Sequence, residues 1–409
     1  MEIFKKAIIG NDILRVLRIK PFLLILTSQF LSNLAFNMQH FVLIFIIYGL
    51  TRSNTAVSAV ILSFTIPAVL FSLISGVHVD RWDKRKILFF TNIIRSILIL
   101  LFLVPNLHVG FMYTITFLIA LTTQFFIPAG SAVVPLLVPK RFIMSANSVL
   151  YLGVYATMFL GYIFAGSFLL ILGKPYTIIF LSFLFFASAF FILPIKPQYR
   201  NRDYKSKDIE TSFFEELHEI LPFIKKTRKV VQALVVLTIA QAVIFMFAVL
   251  GPGYVATILN VEVERLSLLL IAPAAFGMLI GAFLLGSIGK KFEFRWLSGI
   301  GFLLSGVIFA LFAQAENVAS VLPILIIFSV LVGFAISLIF IPGHATLQTE
   351  TTEKLRGRIY GLLNALTGVV SFLPVVLAGG LADIIGVGTV VTGVGVIMII
   401  VSIFFFVFA

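Results

Sequence analysis

Twelve predominantly apolar stretches, each about as long as a bilayer is thick when wound into a helix, follow one another along this 409-residue chain. They run approximately over 21–49, 54–79, 87–104, 109–138, 144–171, 175–195, 229–257, 265–289, 296–314, 318–346, 359–382 and 387–409. Crossing a hydrocarbon layer of roughly 30 Å takes about 20 apolar residues in an α-helix, and a helix satisfies its own backbone polar groups there. Composition agrees, because 60% of the residues are hydrophobic and only 11% charged, whereas a soluble domain is about a quarter charged. The sequence predicts an all-α membrane protein with twelve transmembrane helices.

Basic residues set the expected orientation, since Lys and Arg accumulate on the cytoplasmic side. With the N-terminus inside, inner segments hold 26 of the 30 Lys and Arg, while Arg52, Lys174 and Arg265 lie outside and Arg95 falls within a span. The net charge of +13 is thus a topology signal and suits the anionic inner leaflet. No basic segment interleaved with exposed aromatics on a soluble fold is present, so no nucleic-acid partner is expected. The first apolar stretch is too long for a signal-peptide core and lacks a small-residue cleavage site, so it should remain in the membrane. The chain has no cysteine, and its five His, at 40, 78, 108, 218 and 344, are scattered. That excludes disulfides and thiolate chemistry, and with no hydrolase or nucleotide-binding pattern in view we expect neither an enzyme nor a cofactor.

A polar linker at 196–228 divides the chain into 1–195 and 229–409, each with six spans. In the later linker, Leu217, Ile220, Leu221 and Phe223 recur at helical spacing opposite charged residues, which reads as an amphipathic helix on the inner membrane surface or as a plain charged tether. The halves echo one another. Phe126-Ile-Pro128-Ala129 near the end of span four recurs as Phe340-Ile-Pro342-Gly343 in span ten, and Gly76, Asp80, Arg81 and Arg85 correspond to Gly286, Lys290, Lys291 and Arg295 after span eight. Two pseudo-symmetric six-helix bundles in a parallel repeat are the plan of one large transporter class.

The turn at 76–86 carries the sharpest motif. Gly76, Asp80, Arg81, Lys84 and Lys86 match Gly-x-x-x-Asp-Arg/Lys-x-Gly-Arg/Lys-x-Arg/Lys-Arg/Lys, and the chain thereby resembles the major facilitator superfamily. Asp83 stands where that family usually has glycine, which implies either a turn made without positive φ or an Asp tolerated there. Phe125, Pro128, Pro135, Pro139 and Asn147, with Thr51-Arg52-Ser53 and Arg356-Gly357-Arg358, are similar to the branch containing macrolide-efflux, enterobactin-exporter and lysophospholipid-transporter proteins. Physically, Gly76 allows close helix approach, and the Asp80 carboxylate can sit against a helix N-terminus, worth roughly 0.3–1 kcal/mol. The resemblance implies that this partner is the start of span eleven near Arg358, in a contact that forms when the cytoplasmic side closes. Arg81, Lys84 and Arg85 would pair nearby or face lipid phosphates; topology signalling alone is the alternative for the whole loop.

Arg95 lies eight positions into span three, roughly 12 Å from its inner end at 1.5 Å per residue. Intramembrane charges are functional candidates by default. The resembling branch commonly has Asp three positions earlier, where this chain has Asn92. Arg95 could bind an anionic substrate group, bind a backbone carbonyl, or snorkel to the inner interface. Span one carries Gln29, Ser32, Asn33, Phe36, Asn37 and His40 at helical spacing, a polar face that would line a central cavity or make interhelical hydrogen bonds. Gln124 in span four and Gln241 in span seven are at similar depth and join the candidate cavity.

None of the seventeen acids falls mid-span, although proton-driven carriers usually place one there. Asp80, Glu350 and Asp383 come nearest, at span ends, and His40 is the imidazole candidate. The antiporter-type pattern of span five survives only as Gly161-Tyr162 and Ala165-Gly166, without its proline. The sequence therefore reads as a secondary exporter of amphipathic small molecules, drug-like or lipid-like, with protons as the expected counter-substrate. It is expected as a monomer in a bacterial-type cytoplasmic membrane. An uncoupled facilitator or lysophospholipid flippase, and a non-transporting scaffold or sensor, are the alternatives. The last span is followed by no basic inner tail, so a further C-terminal extension is expected.

Overall fold

The computed structural model describes residues 12–195, 223–224, 226–288, 292–313 and 318–408. Side chains at 12, 72–74, 76–77, 80–81, 287–288, 318–321, 353–354, 356–357 and 407–408 fall outside that description. So do the expected amphipathic linker segment up to residue 222 and the Lys290-Lys291 counterpart of the 76–86 turn.

Among the described residues every regular element is helical. Span one is Lys20–Thr51, span two Asn54–Arg81, span three Lys84–Leu100 and span four Val109–Leu137, preceded by a short helix at Asp12–Leu17. One continuous stretch, Ile143–Ile192, holds spans five and six. It breaks at Gly173, whose φ of 74° and ψ of 172° end one helix and begin the next; a residue without Cβ takes that conformation at little cost. Spans seven to twelve are Arg228–Thr257, Ala272–Ile288, Phe294–Phe312, Val318–Glu350, Glu353–Ile385 and Val387–Phe408. Eleven stretches of the described chain are long and apolar enough to cross a membrane, the fused pair counting once. Division at Gly173 gives the twelve spans expected from the apolar pattern.

Several helix ends are fixed by side chains. Asp83 caps span three from an extended conformation, φ −66° and ψ 109°, its Oδ1 accepting from Arg85 N at 2.9 Å. No positive φ is needed where the family motif carries glycine, because a capping carboxylate makes the turn instead. His108 caps span four in the same manner, Nδ1 accepting from Gly110 N at 3.1 Å.

The described chain forms two compact units, one from the described residues of 1–42 and 63–209, the other from those of 43–62 and 210–409. In the first, Ile25, Val79, Leu88, Phe126, Ala129 and Ile192 form a core joining spans one, two, three, four and six. Hydroxyls knit the same spans, since Ser188 Oγ donates to Ser28 O at 2.8 Å and Ser182 Oγ to Ser96 O at 2.9 Å. In the second unit, Val230, Leu234, Leu347, Ile359 and Leu363 join spans seven, ten and eleven. Gly277 and Gly281 lie against Val330 O and the Ser337 hydroxyl, so spans eight and ten touch along a face that any Cβ would obstruct, the small-residue packing of membrane helices. Large apolar side chains such as Phe283, Ile171 and Ile384 point away from the protein. In water that would be a liability; in lipid it is the expected surface.

Candidate functional site

Arg95 is 1% exposed and lies among span one, span four and span six. Its Nε donates to Thr122 Oγ1 at 3.0 Å and its Nη1 to Ser32 Oγ at 3.1 Å. Ser32 in turn donates to Asn92 Oδ1 at 2.8 Å, so the amide that stands where the resembling branch has an acid is reached from Arg95 through one hydroxyl. Rings of Phe126, Phe185 and Phe36 surround the guanidinium at 4.5, 5.8 and 5.9 Å from their centroids, where the ring quadrupoles attract a cation. Nη2 is buried and has no hydrogen-bond partner. Of the three roles expected for Arg95, snorkelling to an interface is not what this geometry shows, because hydroxyls and rings hold the side chain inside the protein.

The polar face of span one runs past this nest. Gln29, Asn33, Phe36, Asn37 and His40 are each half-buried. Asn33 Nδ2 donates to Gln29 O at 2.8 Å and Asn37 Nδ2 to Asn33 O at 2.9 Å, so these amides partly satisfy themselves on their own helix. Gln29 presses on span four at Gly130, and its Nε2 is buried without a partner. Asn37 and Met38 meet span five at Gly161, where an added Cβ would stand 2.8 Å from Asn37 Cβ and from Met38 N. The His40 ring sits between Phe36 and Phe64, with centroids at 4.3 and 3.7 Å. Gln124, half-buried in span four, donates back to Ala120 O at 3.2 Å. These residues therefore gather in one unit around spans one, three and four. Gln241 is half-buried in the other unit.

At the 76–86 turn, the side chains of Gly76, Asp80 and Arg81 lie outside those described, and the expected contact of Asp80 with span eleven falls there too. Arg358 and Lys84 are half-buried and Lys86 is exposed. Arg85 Nη2 donates to Leu193 O at the end of span six. Trp82 stacks on Phe125, centroids 6.1 Å apart and planes at 11°. The turn thus anchors itself on neighbouring spans through Arg85 and Trp82, a contribution of the tryptophan that its place between charged residues did not signal.

A second polar constellation is one that spacing could not reveal. Asp383, near the end of span eleven, accepts hydrogen bonds from Ser53 Oγ at 2.6 Å, Asn54 N at 2.8 Å, Asn54 Nδ2 at 3.0 Å and Thr55 N at 3.0 Å. Four donors around one carboxylate make it a cap for the first turn of span two, supplied from 330 residues away. Ser58 Oγ reinforces the contact by donating to Val375 O at 2.8 Å. A cleft of about 460 Å³ opens beside it, lined by Tyr48, Arg52, Ser53, Asn54, Thr257 and Asp383, among others. Among the described residues no group of three His, Asp or Glu side chains could hold a metal ion.

Comparison with known proteins bears on all of this. The sequence model described as Major Facilitator Superfamily matches residues 25–277 and 233–409. Macrolide efflux protein A of Streptococcus pyogenes is 25% identical over 382 residues, covering 90% of both chains. The uncharacterized MFS-type transporter YvqJ of Bacillus subtilis is 24% identical over 353 residues, 83% of this chain and 80% of that one. Among solved structures, the nucleoside transporter NupG superposes with a TM-score of 0.71 at 14% identity, over 94% of this chain and 100% of the other. A bacterial homolog of the human lysosomal transporter Spinster gives 0.71 at 14% identity, over 95% and 96%. With twelve spans, the 76–86 motif and a family match along nearly its whole length, the chain is a multi-pass membrane protein that belongs to the major facilitator superfamily.

Proposed function

We propose that this transporter exports amphipathic small molecules, drug-like or lipid-like, from a bacterial-type cell by alternating access of two six-helix bundles, 1–195 and 229–409, with its N-terminus in the cytoplasm. The observation that carries the reading is the polar seam of span one, half-buried at Gln29, Asn33, Asn37 and His40 and backed by the buried Arg95. Polar and charged groups at that depth are costly unless they serve a pathway or each other, and here an arginine nitrogen and a glutamine nitrogen still lack partners. Export as the direction is supported by the macrolide efflux proteins among the relatives. Gln124 on span four and Gln241 on span seven extend the pathway in this reading, and phenylalanines supply its apolar walls.

Closure of the cytoplasmic side is assigned to Asp80 against the start of span eleven near Arg358, with Arg81, Lys84, Arg85 and Lys86 holding the turn at the inner leaflet. Proton antiport is the proposed energy source, with His40 as the carrier, since span one holds no carboxylate and His40 is its one imidazole.

A thermal-shift screen of the purified protein against drugs and lysolipids at two pH values tests the reading. At least one amphiphile should raise the unfolding midpoint in a pH-dependent way, and Arg95→Ala should abolish that shift. A screen in which no amphiphile moves the midpoint of the folded protein would count against amphiphile export.

A further inference from the structure

Two unpartnered donors lie along one seam. Arg95 reaches Ser32 and Phe36 of span one and Thr122 and Phe126 of span four. Gln29, three residues before Ser32, presses on Gly130, four residues beyond Phe126. Residues three and four apart share a helix face, so Arg95 and Gln29 lie along the same contact of spans one and four. Neither nitrogen has an acceptor among the described residues.

No described residue compensates the charge. Arg95 is in no ion pair with any described residue, unlike Lys229 with Glu350, Arg265 with Glu262 and Arg295 with Glu293, which pair at helix ends. No Asp or Glu is buried among the described residues, and Asn92, one turn before Arg95, is a neutral amide already engaged by Ser32. A guanidinium has five N–H donors and never an acceptor, and at this depth its field is screened far less than in water. The seam of spans one and four therefore holds a fixed positive charge and two buried donors without acceptors.

Resting on the export reading above, we propose that the substrates are amphiphiles with an acidic head, a carboxylate or a phosphate, whose oxygens take the open donors of Arg95 and Gln29 while the tail lies against Phe36 and its neighbours. Amphiphiles with a cationic head are disfavoured by the same charge.

The test uses one dansyl-labelled alkyl chain ending in a carboxylate, a primary amide or a trimethylammonium group, assayed in proteoliposomes of the full chain. Carboxylate should move fastest and trimethylammonium slowest, the extremes differing by roughly tenfold or more, the effect of one charge-assisted hydrogen bond. Arg95→Lys keeps a cation and should keep the order; Arg95→Met should level it. Trimethylammonium transport equal to or faster than carboxylate transport by the unmodified protein overturns the proposal while leaving export intact, even if Arg95→Met does not fold. Movement of none of the three, with the protein folded, overturns the export reading and the proposal with it.

Discussion

Asp383 and Asn54 are joined twice, Oδ1 of the aspartate accepting from the Asn54 backbone N at 2.8 Å and from its Nδ2 at 3.0 Å. The first turn of span two thus takes its cap from the last turn of span eleven. Under the proposed topology this joint lies on the outer face, and outward opening must exchange these bonds for water. Asp383→Asn puts an amide donor where donors converge and should cost about 1 kcal/mol, as loss of a helix cap does. Because the chain contains no cysteine, Thr257→Cys in the adjacent cleft is a clean reporter. Its labelling by a water-soluble maleimide should quicken several-fold in the Asp383→Asn background, and an unchanged rate would show that the joint does not hold the cleft closed.

The Ser32 hydroxyl accepts from Arg95 and donates to Asn92. Ser32→Ala leaves both of these buried groups short of a partner, which costs about 1–3 kcal/mol for each unsatisfied group. A lowered unfolding midpoint checks this, and Ser32→Thr, which restores the hydroxyl, should recover most of the loss.

Asn92→Asp supplies a carboxylate one helical turn from Arg95. Positions three apart on a helix are neighbours, so the substitution should raise thermal stability while weakening any preference for acidic amphiphiles. Competition binding at neutral pH measures the second effect. An acid at 92 that strengthened binding of acidic amphiphiles would contradict the assigned role of the arginine.

At Gly161, spans one and five approach so closely that a methyl would overlap Asn37 and the Met38 backbone. Gly161→Ala should destabilise by about 1–3 kcal/mol, the range for overpacking a filled interior, read as a fall in the unfolding midpoint.

Asp83 distinguishes capping from conformational freedom. Asp83→Ala should cost about 1 kcal/mol and Asp83→Gly only a few tenths, since glycine is itself an acceptable cap. Equal losses for the two, measured by chemical or thermal unfolding in detergent, would show that the side-chain bond to Arg85 N contributes nothing.

The twelve spans and the family were legible because membrane insertion imposes length and apolarity locally, residue by residue, and because the 76–86 motif is contiguous. Arg95 stood out for the same reason, as a charge where charges are expensive. Its partners did not: Ser32 and Thr122 look like any hydroxyl in an apolar helix until spans one, three and four are brought together. The Asp383 cap was beyond sequence reasoning altogether, since Asp383 and Ser53 are 330 positions apart and each reads as an ordinary polar residue at a span end. Span one's polar face was visible as a pattern, yet the back-bonding of Asn33 and Asn37 to their own helix was not, because periodicity places side chains on a face without saying which carbonyl they reach.

Transport itself is the most direct test. Protein reconstituted in liposomes without ATP, given a neutral dansylated octyl amide on the side corresponding to the cytoplasm and an outwardly higher proton concentration, should accumulate the probe on the opposite side well above protein-free liposomes. His40→Gln should remove the dependence on the proton gradient. Probe movement no faster than in empty liposomes, from a protein that unfolds at its normal temperature, would contradict the account.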